Sequence, residues 1–271
     1  MIKERYIKAW AEEHPWKRSE QIEQDLLLSR ALVAIYSDPF LAERLAFRGG
    51  TALHKLYFSP QVRYSEDIDL VQVKSGPFGE IFDHLKSALD FLPNMRRVQK
   101  RFNNSLRFRV DSEIPPVVPI KIKVETNCKE HFSELGYKEI PFRVDSEWFS
   151  GECSIRTFEL EELLGTKLRA LYQRKKGRDL FDPYYALTKN PGIDRDALMR
   201  CYRTYIAFSA EEVPTDRMFC ENVANKPTMP EFITDVENYI RPSIAFDPFA
   251  AWEFLRAQLF EKDSRPTFPQ P

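Results

Sequence analysis

Apolar residues recur at helical spacing through SEQIEQDLLLSRALVAIYSD, where Ile22, Leu26, Leu27, Ala31, Val33 and Ala34 mark one long helix. Ser19 is its candidate N-cap, and Asp38-Pro39 stops it. A short helix from Phe40 to Leu45 leads into strand-like Ala46-Phe47 and a Gly49-Gly50 turn, and Thr51 to Tyr57 reads as helix again. The period then changes to two. In Asp67-Ile68-Asp69-Leu70-Val71 the two aspartates share one face of a strand, while Ile68 and Leu70 face a core. After a turn at 74–79, a stripe of Ile81, Leu85, Leu89 and Leu92 predicts a helix packed on the sheet.

Residues 96–110 read as a strand with Leu106, Phe108 and Val110 inward. The acidic, proline-rich DSEIPPVVP connects it to PIKIKVETN. There Ile120, Ile122 and Val124 take one face, and Lys121, Lys123 and Glu125 take the other. Residues 132–158 read as irregular apart from the strand-like ECSIRTFEL. Beyond them the period becomes helical: Leu160, Leu163, Leu164, Leu168 and Leu171 form a stripe, and Gly177 is expected to end that helix and turn the chain back. From Asp194 on the pattern is all-helical, with prolines as separators, and SRPTFPQP is expected to be a frayed tail. The fold class predicted is therefore α/β (α+β): a mixed-sheet domain over 1–158, followed by a helical domain over 159–271.

Composition adds little to that picture. At 30% charged and 43% hydrophobic residues, the 271-residue chain has the balance of a globular protein. No apolar run approaches the roughly 20 residues of a membrane helix, and Met1 to Trp10 lacks the pattern of a signal peptide. The expectation is a cytoplasmic protein without membrane contact. Cys128, Cys153, Cys201 and Cys220 have no CxxC spacing, so neither a zinc site nor a disulfide framework is indicated. The net charge of −1 argues against indiscriminate nucleic-acid binding. Two local clusters nevertheless fit a phosphate track: Arg96, Arg97, Lys100, Arg101, Arg107 and Arg109, and Lys167, Arg169, Arg174, Lys175, Lys176 and Arg178.

The chemistry concentrates in FRGGTALHKLYFSPQVRYSEDIDLV, Phe47 to Val71. Glycines 49 and 50, with Thr51, let backbone amides approach an anionic ligand. Asp67 and Asp69, about 7 Å apart on one strand face, repel each other, and a hard divalent cation relieves that repulsion. A phosphate cradle followed by a carboxylate pair points to metal-assisted chemistry on a nucleotide. Lys55, one turn on from Thr51, faces either phosphate or water.

GG[ST], a helix-length spacer and D-h-D-h together resemble the polymerase-β-type nucleotidyltransferases. RGGTALHKLY followed by RYSEDIDL is similar, more narrowly, to the AbiEii/AbiGii toxin family with its MenT-like members, and the resemblance runs in pieces from about Gln21 to about Leu259. It implies Mg²⁺ (or Mn²⁺) on Asp67 and Asp69, with Glu125 as a third carboxylate on a neighbouring strand that completes the shell or acts as base. It implies Ser65, in an S-x-D-x-D pattern, on a γ-phosphate oxygen of an NTP substrate. The family's K…RD..D pattern is filled by Lys167, Arg178, Asp179 and Asp182, and an antiparallel helix return would bring Asp179 or Asp182 towards Lys167. The implied function is the toxin of a toxin–antitoxin or phage-defence system, with a cognate antitoxin. Its implied reaction is transfer of a nucleoside monophosphate to an acceptor, with the tRNA 3′ end ahead of other RNA. Nucleotidylation of a protein hydroxyl and a non-catalytic nucleotide sensor are the alternatives.

Overall fold

The computed structural model describes residues 2–261, so the tail expected to fray lies outside the described residues. The chain forms two compact units: Met1–Glu159 with Tyr239–Pro242, and Leu160–Asn238 with Ser243–Pro271.

The first unit opens with α1 (Glu4–Glu13), α2 (Ser19–Ser37), α3 (Pro39–Arg44), β1 (Leu45–Arg48) and α4 (Gly49–Ala52), the last running on into a π-helical turn at Leu53–Tyr57. Then come β2 (Asp67–Gln72), α5 (Gly79–Ala88), β3 (Arg96–Gln99), β4 (Asn103–Asp111), β5 (Pro119–Asn127), β6 (Tyr137–Asp145) and β7 (Ser150–Phe158). The strands make one seven-stranded mixed sheet in the order β3-β4-β5-β2-β1-β7-β6. β2 runs parallel to β5, and β1 to β7, while every other neighbouring pair is antiparallel.

Several elements depart from the sequence expectations. Ser19 is the first helical residue of α2 rather than its cap; Arg18 is the cap, and its backbone N–H donates to the Gln21 side chain at 3.2 Å. The helix is buried on nearly every side, including Gln21, Glu23, Gln24 and Asp25, because it lies against the sheet. Gln24 ties it there, donating to the backbone carbonyls of Glu66 (3.1 Å) and Lys121 (2.9 Å). The stretch 96–110 is a hairpin rather than one strand, turning where Lys100 N–H donates to the Asn103 carbonyl at 2.8 Å. Residues expected to be irregular form the β6–β7 hairpin. β6 is one of the sheet's two edge strands and carries Pro141 among charged residues, a composition that edges tolerate and that blurs the alternating signal.

The second unit contains α6 (Leu160–Gln173), α7 (Arg178–Lys189), α8 (Arg195–Ser209), α9 (Asp216–Ala224), α10 (Pro230–Glu237) and α11 (Pro248–Leu259). Gly165 lets α6 approach α8 closely: a Cβ there would lie 2.8 Å from the Tyr202 backbone nitrogen. Gly177 does not end α6, which stops at Gln173; it is the N-cap of α7, with an ordinary right-handed φ of −60°. It is glycine for lack of room, since a Cβ would meet the Phe232 carbonyl oxygen at 2.1 Å. The carbonyls at the end of α6, which the helix itself leaves without partners, accept from the buried Lys226 ammonium, among them Tyr172 at 3.0 Å and Arg174 at 3.1 Å. The four-residue segment Tyr239–Pro242 leaves this unit and pairs with the first through the bridge Arg63↔Ile240.

Candidate active site

The alternation of β2 places Ile68 and Leu70 in the core, 0% and 1% exposed, and leaves Asp67 and Asp69 half-buried on the opposite face. Parallel pairing with β5 sets Asp69 opposite Glu125 and Asp67 opposite Lys123. All three expected carboxylates therefore share one face of two adjacent strands. Burial and the Asp69 charge push the Asp67 carboxyl up to about 6, although Lys123 pulls the other way. Burial alone would lower the Lys123 ammonium, but Asp67, Asp69 and Glu125 raise it overall.

Lys123 was legible as an outward strand residue; its role was not. Its ammonium lies 3.0 Å from Asp67 Oδ2 and 3.6 Å from Glu125 Oε2, while Glu125 also accepts from the Ser105 hydroxyl at 3.1 Å. Among the described residues, no three His, Cys, Asp or Glu side chains converge on a point that could hold a metal ion. The donor chemistry nevertheless fits a hard cation. The group is all-oxygen and anionic, and its mutual repulsion already draws a lysine ammonium between two members.

The glycine turn abuts these carboxylates. Gly49 has φ +81°, and a Cβ on it would stand 2.5 Å from Asp69 Oδ2, so only glycine lets that carboxylate lie against the backbone. At Gly50 a Cβ would stand 2.3 Å from Arg63 Nη2. Arg63 is 1% exposed and donates to the Tyr64 carbonyl at 2.9 Å, which sets a buried positive charge against the turn. Arg63 opens the RYSEDIDL stretch, and nothing in the local sequence shows that its side chain is buried.

Other expected nucleotide-site residues are occupied within the fold. Thr51 is 1% exposed. Its hydroxyl lies 2.7 Å from Ser65 Oγ and also beside the Asp67 carbonyl, so donating to the carbonyl leaves it to accept from Ser65. Thr51 and Ser65 thus fasten the turn to the start of β2. Lys55 is a correction: it faces neither phosphate nor water. Its side chain is 3% exposed, with the ammonium 2.9 Å from both Asp25 Oδ1 and Ser29 Oγ. Asp25 is fully buried and also accepts from Trp10 Nε1 at 3.0 Å. Burial would raise its carboxyl, but Lys55 and His14 hold it below the ordinary value. A charged residue inside the apolar run QDLLLS was the available sign that this helix needs a buried cation.

In the second unit the chain does turn back, and it brings both Asp179 and Asp182 to Lys167, at 3.2 Å and 3.0 Å. Both aspartates are 0% exposed. Asp179 also takes Arg174 at 2.6 Å, whereas Arg178 pairs with Asp235 instead. Burial opposes the charge on Asp179, but Lys167 and Arg174 win and lower its carboxyl below the ordinary value.

The first basic cluster divides by strand parity. Arg96, Arg107 and Arg109 stand on the carboxylate face, whereas Arg97 lies over the Phe82 ring at 4.3 Å on the other. In the second cluster Lys167, Arg174, Lys176 and Arg178 are all tied to aspartates.

The family described as "Nucleotidyl transferase AbiEii toxin, Type IV TA system" matches residues 30–268. Among curated proteins none matches. Among solved structures, JHP933 from Helicobacter pylori aligns at TM-score 0.56 and 18% identity, covering 91% of this chain and 94% of its own. MenT4, a nucleotidyltransferase toxin from Mycobacterium tuberculosis, aligns at TM-score 0.53 and 14% identity, covering 94% of each chain. At such identities the likeness speaks to the fold. No helix among the described residues is long and apolar enough to cross a membrane. With the family match spanning most of its length, the chain belongs to the AbiEii nucleotidyltransferase toxins of type IV toxin–antitoxin systems.

Proposed function

We propose that this chain transfers a nucleoside monophosphate from an NTP to an RNA acceptor, foremost a tRNA 3′ end, and that a cognate antitoxin restrains its effect. One observation carries the reading: Asp69 stands in register with Glu125, two residues from Asp67, on a strand face that abuts the Gly49-Gly50 turn. In the reaction an acceptor hydroxyl oxygen bonds to the α-phosphorus. The bond from that phosphorus to the bridging oxygen breaks, pyrophosphate leaves, and the hydroxyl proton passes to a base.

Asp67 and Asp69 would hold Mg²⁺ or Mn²⁺, with Glu125 beside them. When bound, the ion supplies Lewis-acid stabilisation of charge on the phosphoryl oxygens. Glu125 is the candidate base, since it can take the proton while Ser105 holds it in place. The Gly49-Gly50 backbone lets Asp69 and the buried Arg63 lie against it, and Arg63 biases that spot towards negative charge. Lys123 offsets the carboxylates until a cation takes over that role. Lys167 is assigned to the site by family pattern alone; the contacts it makes are with Asp179 and Asp182.

The test is incubation with each labelled NTP, Mg²⁺ and total RNA. Label in tRNA supports the proposal. Label only in protein would replace it with protein nucleotidylation, and NTP binding without transfer would replace it with a sensor.

A further inference from the structure

Strand register builds a row of cations that begins at the carboxylates. Asp67 on β2 pairs with Lys123 on β5, Lys123 with Arg107 on β4, and Arg107 with Arg96 on β3. Beside that rung, Arg109 pairs with Lys121. Neighbouring strands lie about 4.8 Å apart, so the row extends roughly 14 Å from Asp67 to the sheet edge. These six side chains line one open groove of about 580 Å³.

Like charges directly opposite across strands destabilise a sheet, and all three cation pairs here, Lys123–Arg107, Arg107–Arg96 and Arg109–Lys121, are of that kind. Lys123 has Asp67 and Glu125 as partners. Arg96, Arg107, Arg109 and Lys121 have no ion pair among the described residues, and Arg107, Arg109 and Lys121 are exposed on their strands. This contrasts with the cluster at 167–178, whose cations are largely neutralised by Asp179, Asp182 and Asp235. An unneutralised row that costs the sheet stability, on a chain of net charge −1, fits an external polyanion.

We infer that Arg96, Arg107, Arg109 and Lys121 bind the phosphate backbone of the RNA acceptor's single-stranded end and lead its terminal hydroxyl along the β3–β4–β5 edge to Asp67. The row is at most two cations wide and lies across a sheet, so it suits a single strand passing over the strands. This inference rests on the proposed RNA-acceptor activity and names the surface that would serve it.

The experiment uses the full chain carrying Asp67→Asn, which stops turnover, and measures its affinity for deacylated tRNA across a salt series. A second protein adds Arg96→Ala, Arg107→Ala, Arg109→Ala and Lys121→Ala. A control of matched charge instead adds Lys8→Ala, Lys86→Ala, Lys189→Ala and Arg217→Ala, all at exposed positions. Each lost single-strand phosphate contact flattens the log–log salt slope by about 0.7, so the row variant should lose about 3 from the slope. It should also bind at least tenfold more weakly at low salt, while NTP affinity stays unchanged and the thermal midpoint rises as the like-charge repulsion is removed. The control should keep the parent slope. Equal slopes for row variant and parent overturn the track while leaving RNA labelling by the unmodified protein intact. Equal losses in row variant and control likewise overturn it, because charge rather than place would then matter. Absence of tRNA binding by the parent overturns both the track and the RNA-acceptor reading.

Discussion

Lys167 and Asp182 meet at 3.0 Å with their side chains 8% and 0% exposed, an ion pair almost out of water. Asp179 flanks the same ammonium at 3.2 Å. Removing the cation takes the Lys167 ammonium from two buried carboxylates, of which Asp179 keeps Arg174. Breaking one side of a buried pair costs about 3–5 kcal/mol. Lys167→Ala should lose that much stability in denaturant titrations of the whole protein. Lys175→Ala, at an exposed position, should change it by less than about 0.5 kcal/mol. A Lys167→Ala protein as stable as its parent would show that the pair contributes nothing to the fold.

Asp179 gives that network a pH signature. Its carboxyl lies below the ordinary 3.8 in the folded protein. The stabilisation it brings is therefore complete above the unfolded value and lost as pH falls through the lower folded one. Asp179→Asn should be markedly less stable than the parent at pH 7, and the gap should close on acidification below about 4. Midpoints of unfolding recorded from pH 7 to pH 3 check this; a constant gap contradicts it.

Two glycines make a matched pair of opposite sign. At Gly49 the left-handed φ of +81° and the contact with Asp69 forbid a side chain. Gly49→Ala should cost at least about 1–2 kcal/mol and should abolish nucleotidyl transfer by displacing Asp69. Gly79 begins a helix, and a methyl group on it would meet no atom within 4 Å. Gly79→Ala should stabilise by about 0.4–1 kcal/mol through the unfolded chain. Calorimetry on the two variants reads both signs.

Asp67→Asn and chelation probe the carboxylates. Asp67→Asn removes a charge that burial and Asp69 already disfavour, so the protein should keep its fold. Label transfer should drop by roughly 100-fold or more, the scale of a lost transition-state electrostatic contact. Excess EDTA should silence the parent reversibly, with activity restored by Mg²⁺ or Mn²⁺. Undiminished transfer in either case removes these residues from the chemistry.

Local pattern carried the architecture where one face was buried. The period-two alternation of β2 and β5 gave the orientations of Asp67, Asp69 and Glu125, because sheet cores impose them. It failed for β6, an edge strand with proline and charges. What local sequence does not contain is register. Nothing in IKIKVE announces that Lys123 faces Asp67, or that Arg107 and Arg96 continue the same rung. Burial of charge was equally hidden. Lys55 looked like a surface or phosphate-facing residue because its partner Asp25 lies 30 positions earlier.

The segment Tyr239–Pro242 bears on how the protein is made. Tyr64 N–H donates to the Tyr239 carbonyl at 2.8 Å, Arg241 N–H donates to the Val62 carbonyl at 3.1 Å, and Ile240 bridges to Arg63. These contacts hold the lead-in to β2, a few residues before Asp67. A ribosome translating from the N-terminus completes all seven strands by Phe158, yet the piece that fastens this lead-in emerges some eighty residues later. The lead-in to the carboxylate strand therefore stays unfastened through most of the synthesis of the second unit, although β2 itself already has both of its partners, β1 and β5. Nascent chains interrupted before residue 239 would carry Asp67 and Asp69 without the support that orders their approach. A fragment cut at the sequence boundary near 159 would lack these contacts as well.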